Sequence, residues 1–459
     1  MDTLDFIIEN GDIVFEDGVK KAALGIKDGV ICDIGDIHSS ARNRIDASGK
    51  MIFPGMIDVH VHFNEPGNEE WEGFKTGSAM LAAGGITTFF DMPLNGSPST
   101  ITANAVVEKA QLGKQKSLID FGLWGGLVPG NECELEDMAK EGVIGFKAFL
   151  SPSGNDEFEA CDDDTLLRGM DAIAQLHKVL ALHAESGPLT TFLQHKKMRN
   201  GLTSIDDYAA SRPIEAEAEA VARALYFAKQ TGCSLHFVHI SSSEAVNLIQ
   251  NAKKQGVDVT LETCPHYLIY SHEDFRRLGS VAKCAPPLRK QRDKEKLIKH
   301  LLKNEIDLIS SDHSPCPWEY KEQDNMFKVW GGISGGQFSL LSAIELAKNY
   351  QIPLESVVKW TASHPAKRFG LYPKKGAIQI GSDADLAIVA MNTPFFVSKE
   401  NLFAKHPYSL YENHTFPCTI DTTMQKGNII YQNGEISYHT KGNCLKPAVN
   451  QMFYANKSC

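Results

Sequence analysis

Two histidines one residue apart are the first sign of chemistry in this chain, in Asp58-Val59-His60-Val61-His62. On a strand, side chains at i and i+2 share a face, so both imidazoles point the same way and can share one metal ion. Two satisfied core histidines would have the same spacing, so the pair alone does not decide. Four further groups add weight. Lys147 lies in Gly145-Phe146-Lys147-Ala148-Phe149, a run otherwise too apolar for a charge. A buried ammonium is costly unless it is paired or chemically changed. His183 ends the run Val179–His183, His239 ends Leu235–His239, and Asp312 follows Ile306–Ser311. Each of these groups falls within or at the end of an apolar, strand-like run. Imidazoles with a carboxylate suit Zn²⁺, and also Co²⁺, Mn²⁺ or Fe²⁺.

The elements that must position these groups alternate. Apolar runs at Met56–His62, Thr87–Asp91, Leu118–Trp124, Gly145–Phe149, Val179–His183, Ser234–His239, Val257–Thr263 and Asp307–Ser310 predict strands. Helical periodicity separates most of them, as at Glu72–Ala83, Thr165–Gln175, Pro213–Lys229 and Ser243–Lys254. This α/β pattern fits a closed (β/α)₈ barrel of the TIM type or a doubly wound open sheet. Polar groups gathered at the C-terminal ends of strands one, four, five, six and eight favour the barrel, whose catalytic face lies there.

The two ends of the chain echo each other. Gly11–Gly18 and Gly427–Gly434 each read as a short apolar strand closed by an Asp-Gly or Asn-Gly turn. Further strand-like runs lie at Ala22–Ile26, Val30–Ile34 and Ala384–Ala390. We expect a small β-sandwich built by both termini, residues 1–55 with 373–445, flanking a barrel of residues 56–372. A tail spans 446–459.

Composition narrows the function. The chain has 459 residues, is 42% hydrophobic and 22% charged, and carries a net charge of −11. That is ordinary globular composition with no basic stripe, so no nucleic-acid partner is expected. Apolar stretches such as Ala79–Phe90 are short and broken by glycine, so no membrane span is expected. The start, Met1–Asp5, lacks the basic and apolar segments of an export signal. Ten cysteines without a C-x-x-C pair suit a reducing compartment, and the expected location is the cytoplasm.

The stretch Pro54-Gly55-Met56-Ile57-Asp58-Val59-His60-Val61-His62 resembles the signature of the amidohydrolase superfamily, in its cyclic-amide branch of dihydroorotases, hydantoinases or dihydropyrimidinases, and allantoinases. The resemblance covers nearly the whole chain, including the two-ended sandwich. It implies two divalent metals, zinc first among the candidates. His60 and His62 would bind one metal and His183 and His239 the other. Lys147, N-carboxylated by CO₂, would bridge them, and Asp312 would complete the first site. It further implies hydrolysis of a ring amide, with Asp312 carrying a proton from the attacking water to the leaving nitrogen. Homo-oligomers, often tetramers, are usual in the branch.

Departures from sister families narrow the substrate. Dihydroorotases carry an arginine two residues beyond the second histidine, where this chain has Asn64. An anionic substrate is then poorly served. Hydantoinases and dihydropyrimidinases carry a tyrosine five residues beyond the carboxylated lysine, where this chain has Pro152. Asp91–Asn95, Glu262–Tyr267 with Lys283–Pro287, and Ser311–Pro317 running on to Trp330–Gly335 instead resemble allantoinases. Allantoin, a neutral hydantoin with a ureido arm, is the implied substrate, with Asn95, Ser314 and the backbone at Ala285 as contacts. A hydantoinase or dihydropyrimidinase acting on other cyclic ureides is the enzyme alternative. A non-catalytic scaffold related to dihydropyrimidinases is the other, and such scaffolds lose ligands that this chain keeps.

Other residues carry weaker readings. His266 reads equally as a partner of the site and as a structural cap. His313 is placed to orient Asp312. His236 is expected to face out of the barrel. Glu215, Glu217 and Glu219 read as a mostly solvated helix face. Residues 186–211 and 315–330 read as insertions over the barrel mouth.

Overall fold

The computed structural model describes residues 3–447. Most of the expected tail, residues 448–459, therefore lies outside the described residues. Eight parallel strands follow one another in chain order within one sheet: Met56–Val61, Ile86–Asp91, Asp120–Gly126, Gly145–Phe149, Val179–His183, Ser234–Phe237, Val259–Thr263 and Leu308–Ile309. Each is short and apolar, as strands buried on both faces must be. The sheet is drawn round into a barrel by a parallel bridge between Val61 and His313. At that seam the His62 amide donates to the His313 carbonyl at 2.8 Å. The seam thus lies beside His60, His62 and Asp312.

Helices lie between the strands where periodicity placed them: Phe74–Ala83, Asp163–Gln175, Ile214–Thr231 and Ser243–Lys254. Local chemistry starts two of them. The Asp162 carboxylate accepts from the Thr165 amide at 2.8 Å, and the Ser242 hydroxyl from the Ala245 amide at 3.3 Å. One apolar cluster includes Ile57, Val59, Trp124, Ala181, Val238, Leu308 and Phe369. The Phe369 ring meets Phe90 and Trp124 edge to face, with centroids 5.3 Å away in both cases.

The termini share a seven-stranded sheet in which Leu386–Ala390 lies between Met51–Pro54 and Thr419–Gln425. A four-stranded sheet, drawn only from residues 4–46, packs Ile8, Leu24, Ile26 and Ile31 into the same apolar cluster as Ile52 and Ile388. Lys375 ties this part to the barrel. Buried, it meets Asp120 at 2.6 Å, Asp385 at 2.7 Å and Asp383 at 3.0 Å. Residues 443–445 run along the third barrel strand, where the Leu445 amide donates to the Phe121 carbonyl at 2.6 Å.

Candidate metal centre and substrate cavity

The strand ends bring the expected residues together. Among the described residues, His60, His62 and Asp312 form a group whose ligand atoms all lie within 4.8 Å of one another. One Asp312 oxygen lies 3.1 Å from His60 Nε2 and 3.2 Å from His62 Nε2. Burial alone would raise the pKa of this carboxyl, but His60 and His62 outweigh it and hold it at about 2. It therefore stays ionised. Asp312 also has a left-handed backbone, φ 48°, so it turns back toward the seam as the chain leaves the eighth strand.

His183 and His239 lie beside this group. His183 Nδ1 and His239 Nε2 are 2.9 Å apart, and the His60 and His239 ring centroids are 5.5 Å apart. Burial pushes both His183 and His239 below the ordinary imidazole range, the latter strongly. Burial likewise takes His62 down to about 4. Neutral imidazoles are the form that binds metal.

Lys147 is wholly buried, and its ammonium nitrogen has no hydrogen-bond partner. Its charge acts on His62, His183 and His239 alike. Burial lowers its pKa to about 7. An unpaired, buried lysine nitrogen thus shares one cavity with four histidines and a carboxylate. A divalent metal fits this donor set.

Partners behind the ligands are residues the sequence reading missed. His60 Nδ1 meets Glu262 at 2.6 Å, and His183 Nε2 meets Glu185 at 3.0 Å. A carboxylate only accepts, so each ring nitrogen must donate, which leaves the other nitrogen bare for metal. Arg212 pairs with Glu185. Burial works against ionisation of Glu185, but Arg212 and His183 prevail and hold it at about 2.

A cavity of 360 Å³ opens over these groups, and Asn95, Ala285 and Ser314 all line it. The Asn95 amide also lies 3.4 Å from His62 Nδ1, so it borders both ring and cavity. Asn64 is buried but does not line the cavity. Pro152, at the missing tyrosine's place, does. Arg212 and Lys283 line the wall as well; the sequence points to Lys283 only within Lys283–Pro287, and not to Arg212. Both are engaged: Arg212 with Glu185, and Lys283 with the Val329 carbonyl.

Other expectations change. His313 turns away from Asp312 and meets Glu72 at 3.2 Å. His236 faces inward, 3.1 Å from Glu262. The sixth strand ends at Phe237 and His239 is left-handed, φ 40°, so alternation cannot be counted from one histidine to the other. Glu217 also points inward and accepts from the Ser241 amide and hydroxyl, both at 2.9 Å. The His266 ring is buried with its Nε2 unpartnered.

Both insertions reach the mouth. Gln194 and Tyr208 come from the first, and Tyr320, Phe327 and Trp330 from the second or its edge. Lys321 pins the second. Its buried ammonium donates to the carbonyls of Gly332 at 2.7 Å, Trp330 at 2.9 Å and Ser280 at 3.2 Å. Lys321→Met is expected to loosen this wall and raise KM about 10-fold with metal content unchanged, since misplaced positioning groups act on substrate first. Steady-state kinetics with metal analysis checks it, and an unchanged KM would show that the wall does not meet substrate.

Residues 51–430 match the amidohydrolase family. The allantoinase of Bacillus velezensis is 56% identical over 431 residues, covering 94% of each chain. That of Deinococcus radiodurans is 45% identical over 447 residues, covering 97% of this chain and 99% of the relative. The L-hydantoinase (dihydropyrimidinase) from Arthrobacter aurescens has a similar structure, with TM-score 0.93 and 33% identity over 97% of this chain and all of that one. With the histidine- and aspartate-bearing strand ends and the shared barrel, these matches make the chain a member of the amidohydrolase family, in its cyclic amidohydrolase branch.

Proposed function

We propose that this protein is an allantoinase, which opens the hydantoin ring of allantoin to give allantoate in the degradation of purines. The observation that carries this reading is the near full-length identity, 56% and 45%, to two allantoinases. The absence of an arginine at Asn64 and of a tyrosine at Pro152 supports it. A hydantoinase reading draws on the Arthrobacter likeness, at the lower identity of 33%.

The reaction adds water to a ring amide carbon and breaks its C–N bond. His60, His62 and Asp312 would hold one divalent metal and His183 and His239 a second, zinc being the first candidate. Lys147 would bridge them as a carbamate formed with CO₂. When bound, the metals supply Lewis acidity for the carbonyl and lower the pKa of water. Asp312, ionised and facing both His60 and His62, takes the proton of the attacking water. It returns that proton to the ring nitrogen as the bond breaks. Asn95, Ser314 and the Ala285 backbone orient the ring, and Arg212 and Lys283 add polar groups to the wall.

The test compares hydrolysis of allantoin, unsubstituted hydantoin and dihydrouracil by one metal-loaded preparation. Allantoin should lead in kcat/KM by about 10⁴-fold, the scale on which a polar site rejects analogues lacking its partners. Preference for either other ring overturns the assignment. No helix among the described residues is long and apolar enough to cross a membrane. We place the protein in the cytoplasm as a homotetramer by family resemblance, with native mass as the check. We retain residues 56–372 as the barrel domain, and residues 1–55 with 373–445 as the sandwich domain.

A further inference from the structure

One chain of hydrogen bonds starts at Thr260, passes through a buried histidine with no part in the reaction, and ends on a proposed metal ligand. Thr260 Oγ1 lies 2.9 Å from His236 Nδ1, His236 Nε2 lies 3.1 Å from one Glu262 oxygen, and the other Glu262 oxygen lies 2.6 Å from His60 Nδ1. His236, Glu262 and His60 are all buried, with exposures of 0%, 0% and 1%. The carboxylate fixes every role along the chain. It only accepts, so His60 Nδ1 and His236 Nε2 must both donate to it. His236 Nδ1 is then bare and accepts the Thr260 hydroxyl proton.

We propose that His236 is a positioning residue for metal binding, acting on His60 through Glu262. The terminal torsion of a glutamate is broad and twofold, so one hydrogen bond does not fix the carboxylate plane. A second donor on the opposite oxygen does. With Glu262 anchored from behind by His236, its free lobe holds the His60 ring with Nε2 toward His62 and Asp312. Without that donor a carboxylate oxygen is left unpaired inside the barrel, and the carboxylate must turn to find a partner. His60 then loses its orientation. A buried apolar side chain would fill the same volume beside Phe369, whose ring centroid lies 5.7 Å from that of His236. Packing alone therefore gives no reason for an imidazole here.

The inference rests on the proposed metal centre, and the experiment keeps the two apart. Metal retention against a chelator is measured with Zn²⁺-loaded wild type, His236→Phe and His236→Gln. Phenylalanine keeps the ring and its contact with Phe369 but donates nothing, whereas the glutamine amide can reach the Nε2 position. His236→Phe should bind metal about 10-fold more weakly, the lower end of the range for groups behind metal ligands. His236→Gln should stay within about twofold of wild type. Wild-type retention by His236→Phe, even with a lowered Tm, overturns the proposal. So does equal loss in both variants, which would mark the position as one of shape alone. Should His236→Phe not fold, Thr260→Val tests the same chain by removing the hydroxyl that fixes the His236 tautomer. Metal held several-fold less tightly, beyond the range allowed to His236→Gln, supports the proposal, and retention within that range overturns it. A wild type that binds no divalent metal would refute the metal centre itself.

Discussion

Asp312→Asn should retain its metal and lose at least about 10³-fold in kcat, within the range attributed to positioned acid–base groups. The amide keeps the shape of the carboxylate and one oxygen to lie between His60 and His62, which are 3.1 and 3.2 Å from the native oxygen. What it loses is the capacity to take a proton. The native group remains ionised at about 2 because His60 and His62 outweigh its burial. Its proton affinity is therefore low until a substrate and an attacking water share the site. KM should change little, since the amide preserves the cavity floor. The measurement is steady-state kinetics on protein with metal content verified by elemental analysis. A kcat within 10-fold of wild type would remove Asp312 from the proton path.

Lys147→Ala should lose most of its bound metal and, with it, activity to the detection limit. The wild-type nitrogen is buried without a hydrogen-bond partner, and burial holds its pKa at about 7. At neutral pH a substantial fraction is then the free amine, which is the form that reacts with CO₂. Carboxylation replaces a costly buried cation with an anionic ligand able to face both halves of the centre. Alanine leaves a gap of matching shape, so acetate or propionate at millimolar concentration should restore part of both metal content and turnover. Full metal occupancy in the variant without any added acid would refute the bridge.

Much of this site is legible in the sequence, because strand alternation is local. The spacing of His60 and His62 sets a shared face whatever the rest of the chain does. Lys147 stands out because its neighbours are apolar. The partners behind these ligands are not legible, because they depend on closure of the sheet or on the turn of the chain just past a strand. Glu262 reaches His60 from the seventh strand to the first, and Glu185 reaches His183 from just beyond the end of the same strand. His236 illustrates the limit of alternation: the strand ends at Phe237, two residues before His239. Arg212 escaped notice and Lys283 stood out only as part of Lys283–Pro287, because loops carry both to the cavity, and loop geometry leaves no periodic trace. Strand boundaries show the same division. The fourth and fifth strands lie where the apolar runs end, at Gly145–Phe149 and Val179–His183, while the eighth is only Leu308–Ile309 because the chain bends toward the seam.

The sandwich built from both ends imposes an order on synthesis. Met51–Pro54 pairs along one edge with Asp12–Phe15, which emerges first, and along the other with Leu386–Ala390, which emerges only after the whole barrel sequence. At about 5–20 residues per second, that edge stays open on the nascent chain for tens of seconds. An open edge of apolar residues is a template for pairing with other chains. The strand pairing of the four-stranded sheet draws only on residues 4–46 and can form early, but its apolar face is covered by late-emerging residues such as Ile388. A ribosome stalled within the barrel would therefore hold two early sheets with an uncovered apolar face and one open edge until the carboxyl-terminal strands arrive.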